Sequence, residues 1–391
     1  MRRIGIEERR ARLGLRHHLA EHHRAADVVE AARGVVALHA TDPASVFLAV
    51  AARLREATIE AIERALYDER TLVKILGMRR TMFVVPADLL PVVDAACTRA
   101  IAARERRKLI QFLEQAGIAD DCGDWLRAVE EAALLALAAR GGATAAQLSE
   151  DVEDLRRQIV VGEGTKWAAR QRVSTRVLFL LAADGRIARG RPRGSWTSSQ
   201  HRWAPMASWL PGEMAEPTAE AAQAELARRW LAAFGPGTAA DLKWWTGWTV
   251  AEVKRALAKV GPVEVELDGG TGLVLADDLA PLPVPEPWVA LLPALDPTVM
   301  GWSQRGWYLG EHGPALFDRS GNPGPTVWRD GRIVGGWAQR KDGQIAFRLL
   351  EDVGAAAVAA TEAAADRLGA WLGATRVTPR FRTPLERELA T

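Results

Sequence analysis

The sequence predicts an α+β fold, mostly α, in which three tandem winged-helix domains precede a small C-terminal antiparallel β-domain. Three observations carry that expectation. The order helix, helix–turn–helix, hairpin recurs about three times between residues 6 and 278, without a fixed sequence period, so it reads as repeated architecture and not as a solenoid. A proline-rich stretch, "APLPVPEP" (280–287), then reads as an extended joint. Short strand-like pieces follow it at close spacing, and an Ala-rich helix closes the fold. The boundaries expected from this pattern are 1–122, 123–212, 213–280 and 281–391.

The first unit opens with a basic amphipathic helix over 6–24 and a second helix, "DVVEAARGVVALHA", over 27–40. "PASVFLAVAARL" (43–54) is a third, with Asp42 placed to cap it and Pro43 in its first turn, where the missing N–H is harmless. Thr58 caps a fourth over 58–69. "TLVKILGMRRTMFVVP" (71–86) has β-rich ends around Gly77 and reads as a hairpin. In the second unit, "DWLRAVEEAALLALAARGG" (124–142) is a helix stopped by two glycines, and "TAAQLSEDVEDLRR" (144–157) starts on a Thr cap. "KWAARQRVSTRVLFLLAADG" (166–185) reads as one long helix, and "RIARGRPRGSWTSSQHRWAP" (186–205) as a β-hairpin wing. The third unit has helices over 218–237, 238–247 and 249–261, then a hairpin over 263–278 that turns at "DGG". Beyond the joint, "WVALLPA", "WYLG", "GPTVWRDGRIVGGWAQR" and "QIAFRLL" are strand-like, with "RDGRI" as a turn. A helix over 354–373 and a final strand and tail complete the expectation.

Composition bounds the function. The chain has 391 residues, a formal net charge of +2, and two cysteines, Cys97 and Cys122, which form no CxxC pair. No disulfide framework is implied. No apolar run reaches membrane-spanning length, and the first residues carry charge without an apolar signal core, so a cytoplasmic location is expected. The composition fits a GC-rich bacterial genome. Arginine crowds residues 2–24, 99–108 and 186–193, which makes either local basic faces for nucleic acid or solvated helix faces balanced by glutamates. Fifteen tryptophans against two tyrosines, many beside glycine or proline, suit core and hinge packing more than base stacking. His18 and His22 have a metal-like helical spacing, yet no Cys or carboxylate pattern completes a site. "VVGEGTKW" lacks the phosphate-loop pattern, and no GxSxG, HExxH or dinucleotide fingerprint occurs. Neither a metal nor a cofactor is expected.

The densest chemistry lies in "VVALHATDPASVFLAV" (35–50), where His39, Thr41 and Asp42 sit at the joint between two helices. On a helical path residues 39 and 41 lie about 200° apart, whereas on an extended path they share a face. The pair acts together only if the helix ends near Ala37 or Leu38. Pro43 favours that, because it biases Asp42 away from helical geometry. The competing structural reading has Asp42 as a cap, Thr41 in the turn and His39 bonded to a backbone carbonyl. The wing, with Arg189, Arg191 and Arg193, offers the best sequence-only DNA contact; Gln200, His201 and Arg202 on its return strand are weaker candidates.

Four stretches, "VVALHATDP", "LVKILGMRRTMFVVPADLLP", "LLPALDPTVMGWSQR" and "GPTVWRDGRIVGGWAQR", stand in an order and spacing that resembles the AlkZ/YcaQ-type winged-helix DNA glycosylase family over about residues 4–370. The family forms are similar to "LQAQDP", "MRGTLH-V", "LLPAFDP" and "PTVLVDGRVVGTW". The resemblance implies winged-helix units and a β-domain around a DNA-binding concavity. It implies a monofunctional glycosylase acting on bulky N7- or N3-alkylated purines or interstrand crosslinks in double-stranded DNA, as a monomer without cofactor. The family's catalytic motif of Gln, an apolar residue and Gln or Asp falls on His39-Ala40-Thr41, a departure at both polar positions. His39 would then hold the attacking water and accept its proton, with Thr41 as a second ligand and Asp42 facing the sugar cation or capping the next helix. Arg79 and Thr81 match "MRGT" and Arg80 replaces its glycine; Arg79 is a DNA contact or an internal ion-pair partner, and Arg80 is a further phosphate candidate. The alternative is a DNA-binding protein without catalysis, a regulator or damage binder, and Thr41 is the residue that feeds it.

Overall fold

The structure is a computed structural model that describes residues 1–164 and 168–391. It mixes helices with small antiparallel sheets. Near the N-terminus, β1 (Leu38–His39), β2 (Leu72–Leu76) and β3 (Met82–Pro86) form one sheet in the order β1-β3-β2. Two-stranded hairpins lie at 158–172, 187–205 and 263–274, and a four-stranded meander runs from Val289 to Leu349.

Local signals place many of these elements. Asp42 caps Pro43–Ala51 through Ala44 N, and Thr58 caps Ile59–Glu63. Thr144, Thr238 and Thr249 each form a capping box with the residue three positions on. Gly141, Gly247 and Gly261 end their helices in the left-handed conformation that a Cβ disfavours. Asp330 and Gly331 make the expected "RDGRI" turn, both at positive φ.

Several expectations are corrected. The helix expected over 6–24 spans Ile6–Arg16; His17 turns inward and His18 has φ 56°. The helix expected over 27–40 is Val28–Gly34, because Val36 takes φ 63° and the chain then joins β3 as β1. Gly34 lies so close to the preceding turn that a Cβ there would sit 2.6 Å from the His18 ring. The helix expected over 166–185 begins at Val173; Ala169–Arg172 instead pairs with Gln158–Val161, whose Ile159 and Val161 are buried. Residues 166–167 of that expected helix, and with them 165–167 at the end of "VVGEGTKW", lie outside the described residues. "WYLG" is a helical turn, Gly306–Leu309, in which Tyr308 donates its hydroxyl to Val299 O at 2.9 Å. The expected final strand and tail contains a helix, Pro384–Leu389, that buries Leu385 and Leu389.

One large core joins segments distant in sequence. Leu38 and Phe47 from the first unit share it with Trp230, Phe234 and Trp245 and with Leu292, Trp328 and Trp337 of the C-terminal sheet. Residues 109–203 hold a separate core that includes Leu126, Leu148, Val177 and Trp203. The 187–205 hairpin leaves that second core and docks on the first unit. Its Trp196 packs on Phe47 and Trp371 at centroid distances of 4.8 and 5.9 Å.

A hydrogen-bonded chain runs through the main core. Arg53 and Asp296 are both 0% exposed and meet through two bonds of 2.7 and 2.9 Å. Arg53 also donates to Ala49 O and Thr298 Oγ1, and Asp296 accepts from Thr298 N. Thr298 Oγ1 lies 2.9 Å from His17 Nδ1, and His17 Nε2 lies 3.1 Å from Ala233 O. The carbonyl can only accept, so Nε2 carries the proton and Thr298 donates to Nδ1. Burial holds the His17 pKa well below its ordinary value, in keeping with a neutral ring.

Removing one side of this pair leaves the other charge buried and unpaired. Asp296→Ala is therefore expected to destabilise the fold by about 3–5 kcal/mol, whereas Arg53→Met with Asp296→Leu costs much less than the sum of the single changes. Urea unfolding of the single and double variants checks this; a single variant that unfolds like wild type would contradict it.

Candidate functional site

The early end of the second helix puts His39 on an extended path. His39 pairs with Phe83 across the sheet, and Ala40 N donates to Met82 O at 2.8 Å. The strand ends at His39, and Thr41 follows in a bend whose backbone N faces the His39 ring. His39 is 6% exposed, with its ring edge-on to Phe83 at 5.1 Å. Thr41 N points at His39 Nδ1 across a long 3.5 Å contact, which assigns the neutral ring's proton to Nε2. Burial first, and the Arg79 charge second, push the His39 pKa down to about 3. Thr41 Oγ1 is buried with no hydrogen-bond partner among the described residues. An unpaired hydroxyl costs about 1–3 kcal/mol, a penalty that a bound water or ligand would remove.

Asp42 is engaged elsewhere. Its Oδ1 accepts from Ala44 N at 3.2 Å and its Oδ2 from Arg380 N at 2.9 Å. Arg380 also donates to Thr41 O, so the C-terminal segment clasps this joint. Burial raises the Asp42 pKa, and the amide bonds from Arg380 and Ala44 oppose the rise. The geometry is that of a cap and a tether.

The turn between β2 and β3 brings a second group. Arg79 and Arg80 both adopt positive φ, 52° and 61°, a conformation that strains residues with a Cβ. Thr81 holds the turn by donating from N and Oγ1 to Met78 O. Arg79 thereby lies over the Trp244 ring at 4.1 Å, and Arg305 approaches the same ring at 4.8 Å. Burial, then Arg305, lowers the Arg79 pKa to about 10, and Arg79 Nε is buried without a partner. Arg80 points away, exposed, and pairs with Glu105 at 2.6 Å. Sequence reasoning missed Trp244 and Arg305 as partners of Arg79. Trp244 lies in the expected helix 238–247 and Arg305 ends "LLPALDPTVMGWSQR", but nothing local said that the two would meet.

Most of the wing arginines are engaged by other parts of the protein, although only the Arg189 guanidinium is deeply buried. Arg191 pairs with Glu63 at 2.5 Å and Asp68 at 3.0 Å. Arg189 lies over Trp203 at 4.9 Å and reaches Met82 Sδ; burial lowers its pKa to about 10. Arg202 donates to Gly142 O. Arg193 is exposed, and its backbone N donates to Gln200 O. His201 Nδ1 faces Ser199 O, and burial brings its pKa down to about 4. Gln200 is exposed. Among the described residues no group of three or more His, Cys, Asp or Glu side chains is placed to hold a metal, and no helix is long and apolar enough to cross a membrane.

A family model described as "DNA glycosylase AlkZ-like" matches residues 32–371. Among solved structures, the Streptomyces sahachiroi DNA glycosylase AlkZ matches with a TM-score of 0.71 at 20% identity, over 97% of this chain and 99% of that one. At that identity the likeness speaks for the fold. No curated protein matches.

The histidines give a pH dependence of stability with a definite sign. His39 has its pKa lowered to about 3, so between that value and about 6.5 the unfolded chain binds more protons than the folded one. His39 thus removes stability as pH falls through that window, as His201 does down to about 4. His39→Gln is expected to flatten the loss of melting temperature between pH 7 and pH 4. Melting curves of both proteins across that range check it; parallel curves would show that His39 is not buried neutral.

Proposed function

The chain belongs to the AlkZ-like DNA glycosylase family, and on that premise we propose that it is a monofunctional glycosylase which hydrolyses the N-glycosidic bond of bulky N7- or N3-alkylated purines, or of interstrand crosslinks, in double-stranded DNA. The observation that carries this reading is the buried Thr41 hydroxyl, unpartnered among the described residues, beside a neutral His39 on one segment. Two polar groups with open hydrogen-bonding capacity, at the place where the family keeps its catalytic motif, suit a bound water.

The chemistry asks little of a base. Alkylation at N7 makes the purine cationic, so the C1′–N9 bond breaks with its electron pair moving to the base and neutralising it. The sugar oxocarbenium ion is then captured by water, whose oxygen bonds to C1′ while a proton leaves to solvent. A histidine whose conjugate acid has a pKa of about 3 is a weak proton acceptor at neutral pH. Its contribution is orientation: Nε2–H donates to the water oxygen, and Thr41 Oγ1 accepts one of the water protons. A ring that stays uncharged also avoids placing a cation against the oxocarbenium ion. Asp42, with both oxygens on backbone amides, holds the segment that carries the other two.

In this reading three winged-helix units, 1–122, 123–212 and 213–280, and the β-domain 281–391 act on duplex DNA as a cytoplasmic monomer. Arg79 and the exposed Arg193 are its DNA contacts of first choice, while Arg80, Thr81, Arg189, Arg191 and Arg202 are engaged first by partners within the protein. The competing reading, a damage binder or regulator without catalysis, is favoured by the low basicity of His39 and the short Thr41 side chain.

Release of alkylated purine from methylated duplex, from a bulky N7 adduct and from a crosslinked duplex separates the two. His39→Ala is expected to lower release at least ~100-fold with DNA affinity intact, and Asp42→Asn to lower it less than ~10-fold. Release should persist unchanged from pH 8 to pH 5, because His39 does not ionise there. Tight binding with no release from any of the three substrates would support the non-catalytic reading.

A further inference from the structure

We infer that Arg79, Trp244 and Arg305 form a phosphate-binding site that seats the DNA backbone beside the reacting nucleotide, an inference that rests on the glycosylase reading. Three remote segments build it. Arg79 comes from the β2–β3 turn, Trp244 from the helix Ala239–Thr246 and Arg305 from the loop that follows "LLPALDP". Both guanidinium carbons lie within 5 Å of one indole centroid, at 4.1 and 4.8 Å. All three residues are half-buried, so the groups are held by packing yet open on one side.

The site is rich in donors and poor in acceptors. Among the described residues neither arginine is in an ion pair with a carboxylate. Arg79 Nε is buried and unpaired, while Arg305 Nε goes to Trp302 O and one Nη lies 4.0 Å from Met300 Sδ. Asp241 on the same helix as Trp244 is already saturated: Oδ1 accepts from Ser303 N, Ser303 Oγ and Gln304 N, and Oδ2 from Thr238. The end of that helix does account for one cation. Gly247 caps it at φ 78°, and a Cβ there would lie 3.3 Å from Arg79, so the turn rests against the helix C-terminus, which attracts positive charge. The second guanidinium is held by Trp302 O and by the Phe317 ring at 4.9 Å, partners that orient it without neutralising its charge. Two mutually repelling cations on one aromatic ring suit a ligand that only accepts hydrogen bonds and carries negative charge, and a phosphodiester is such a ligand.

The position gives the site its role. The turn that carries Arg79 runs straight into Met82 and Phe83, which pair with Ala40 and His39, so a phosphate held here lies near the segment His39–Thr41. Trp244 restricts both guanidinium groups, and neither has a carboxylate partner among the described residues, so donor capacity remains for a phosphate oxygen. Arg305 is thus a positioning residue that acts through the backbone of the substrate.

The test is affinity for an undamaged duplex, by fluorescence anisotropy from low to high salt. Arg305→Gln is expected to weaken binding about tenfold near 0.1 M salt and to reduce the slope of log K against log salt by ~0.9, the loss of one phosphate contact. Arg305→Lys should restore the slope. In the wild-type protein, the 15N signals of the Arg79 and Arg305 Nε groups should shift when a short duplex is added, a readout that no folding defect confuses. Unchanged Nε signals, or Arg305→Gln binding with wild-type affinity and slope, would overturn the site. Failure of the glycosylase reading is distinct: it shows as a wild-type protein that binds DNA but releases no base, with the salt slope still dependent on Arg305.

Discussion

The Arg53–Asp296 pair is the constraint on which the rest of the structure depends. It joins the end of the helix Pro43–Ala51 to the aspartate of "LLPALDP", 243 residues away, with both partners sealed from water. Two buried charges are tolerated because their hydrogen-bonding capacity is almost wholly met. Thr298 extends the chain to His17 at the end of the first helix, and His17 extends it to Ala233 in the helix Ala219–Phe234. One polar thread thus fixes the relative positions of four segments that would otherwise meet only through apolar packing, which is non-directional.

The candidate site inherits its precision from that thread. Both ends of the helix Pro43–Ala51 are tied down: Asp42 by Ala44 and Arg380 at the start, Arg53 by Asp296 beyond the end. Ser45 adds a bond to Ala294 O. The His39–Thr41 segment leads into this helix, so its geometry is set from both sides. The same loop that supplies Asp296 continues to Arg305, and in this way the pair also places the second guanidinium over Trp244. A polar core and a polar site on one loop explain why "LLPALDPTVMGWSQR" stands out in the sequence more than any isolated residue in it.

The wing shows how charge on a sequence and charge at a surface differ. "RIARGRPR" looks like a basic surface, yet Arg191 is neutralised by Glu63 and Asp68, and Arg189 is drawn under Trp203 toward Met82. The acids that bind Arg191 lie more than 120 residues earlier, where they read as an ordinary helix face. Trp196 packs between Phe47 and Trp371, the packing role that the composition favours for the tryptophans. Basic character survives where the side chains lack acidic partners, at Arg79 and Arg305 around Trp244.

What the sequence determined by itself is the set of local decisions. Asp42, Thr58, Thr144, Thr218, Thr238 and Thr249 start helices where expected, Gly141, Gly247 and Gly261 stop them, and the "RDGRI" turn forms. Each depends on atoms within about four residues, so each is readable from a short window. The break at His39, Thr41 and Asp42 was legible in the same way, from their place at a joint before proline. Tertiary structure decided which of the three stays open: Arg380, 338 residues away, engages Asp42, while no described residue bonds Thr41 Oγ1. It also ended the second helix at Gly34, because pairing with β3 and contact with the His18 turn outweigh the helical pattern of "VVALHA". It brought Trp244 and Arg305 to Arg79. These outcomes rest on contacts between segments far apart in the chain, whose free energy is settled only when the whole core closes, and no local window contains them.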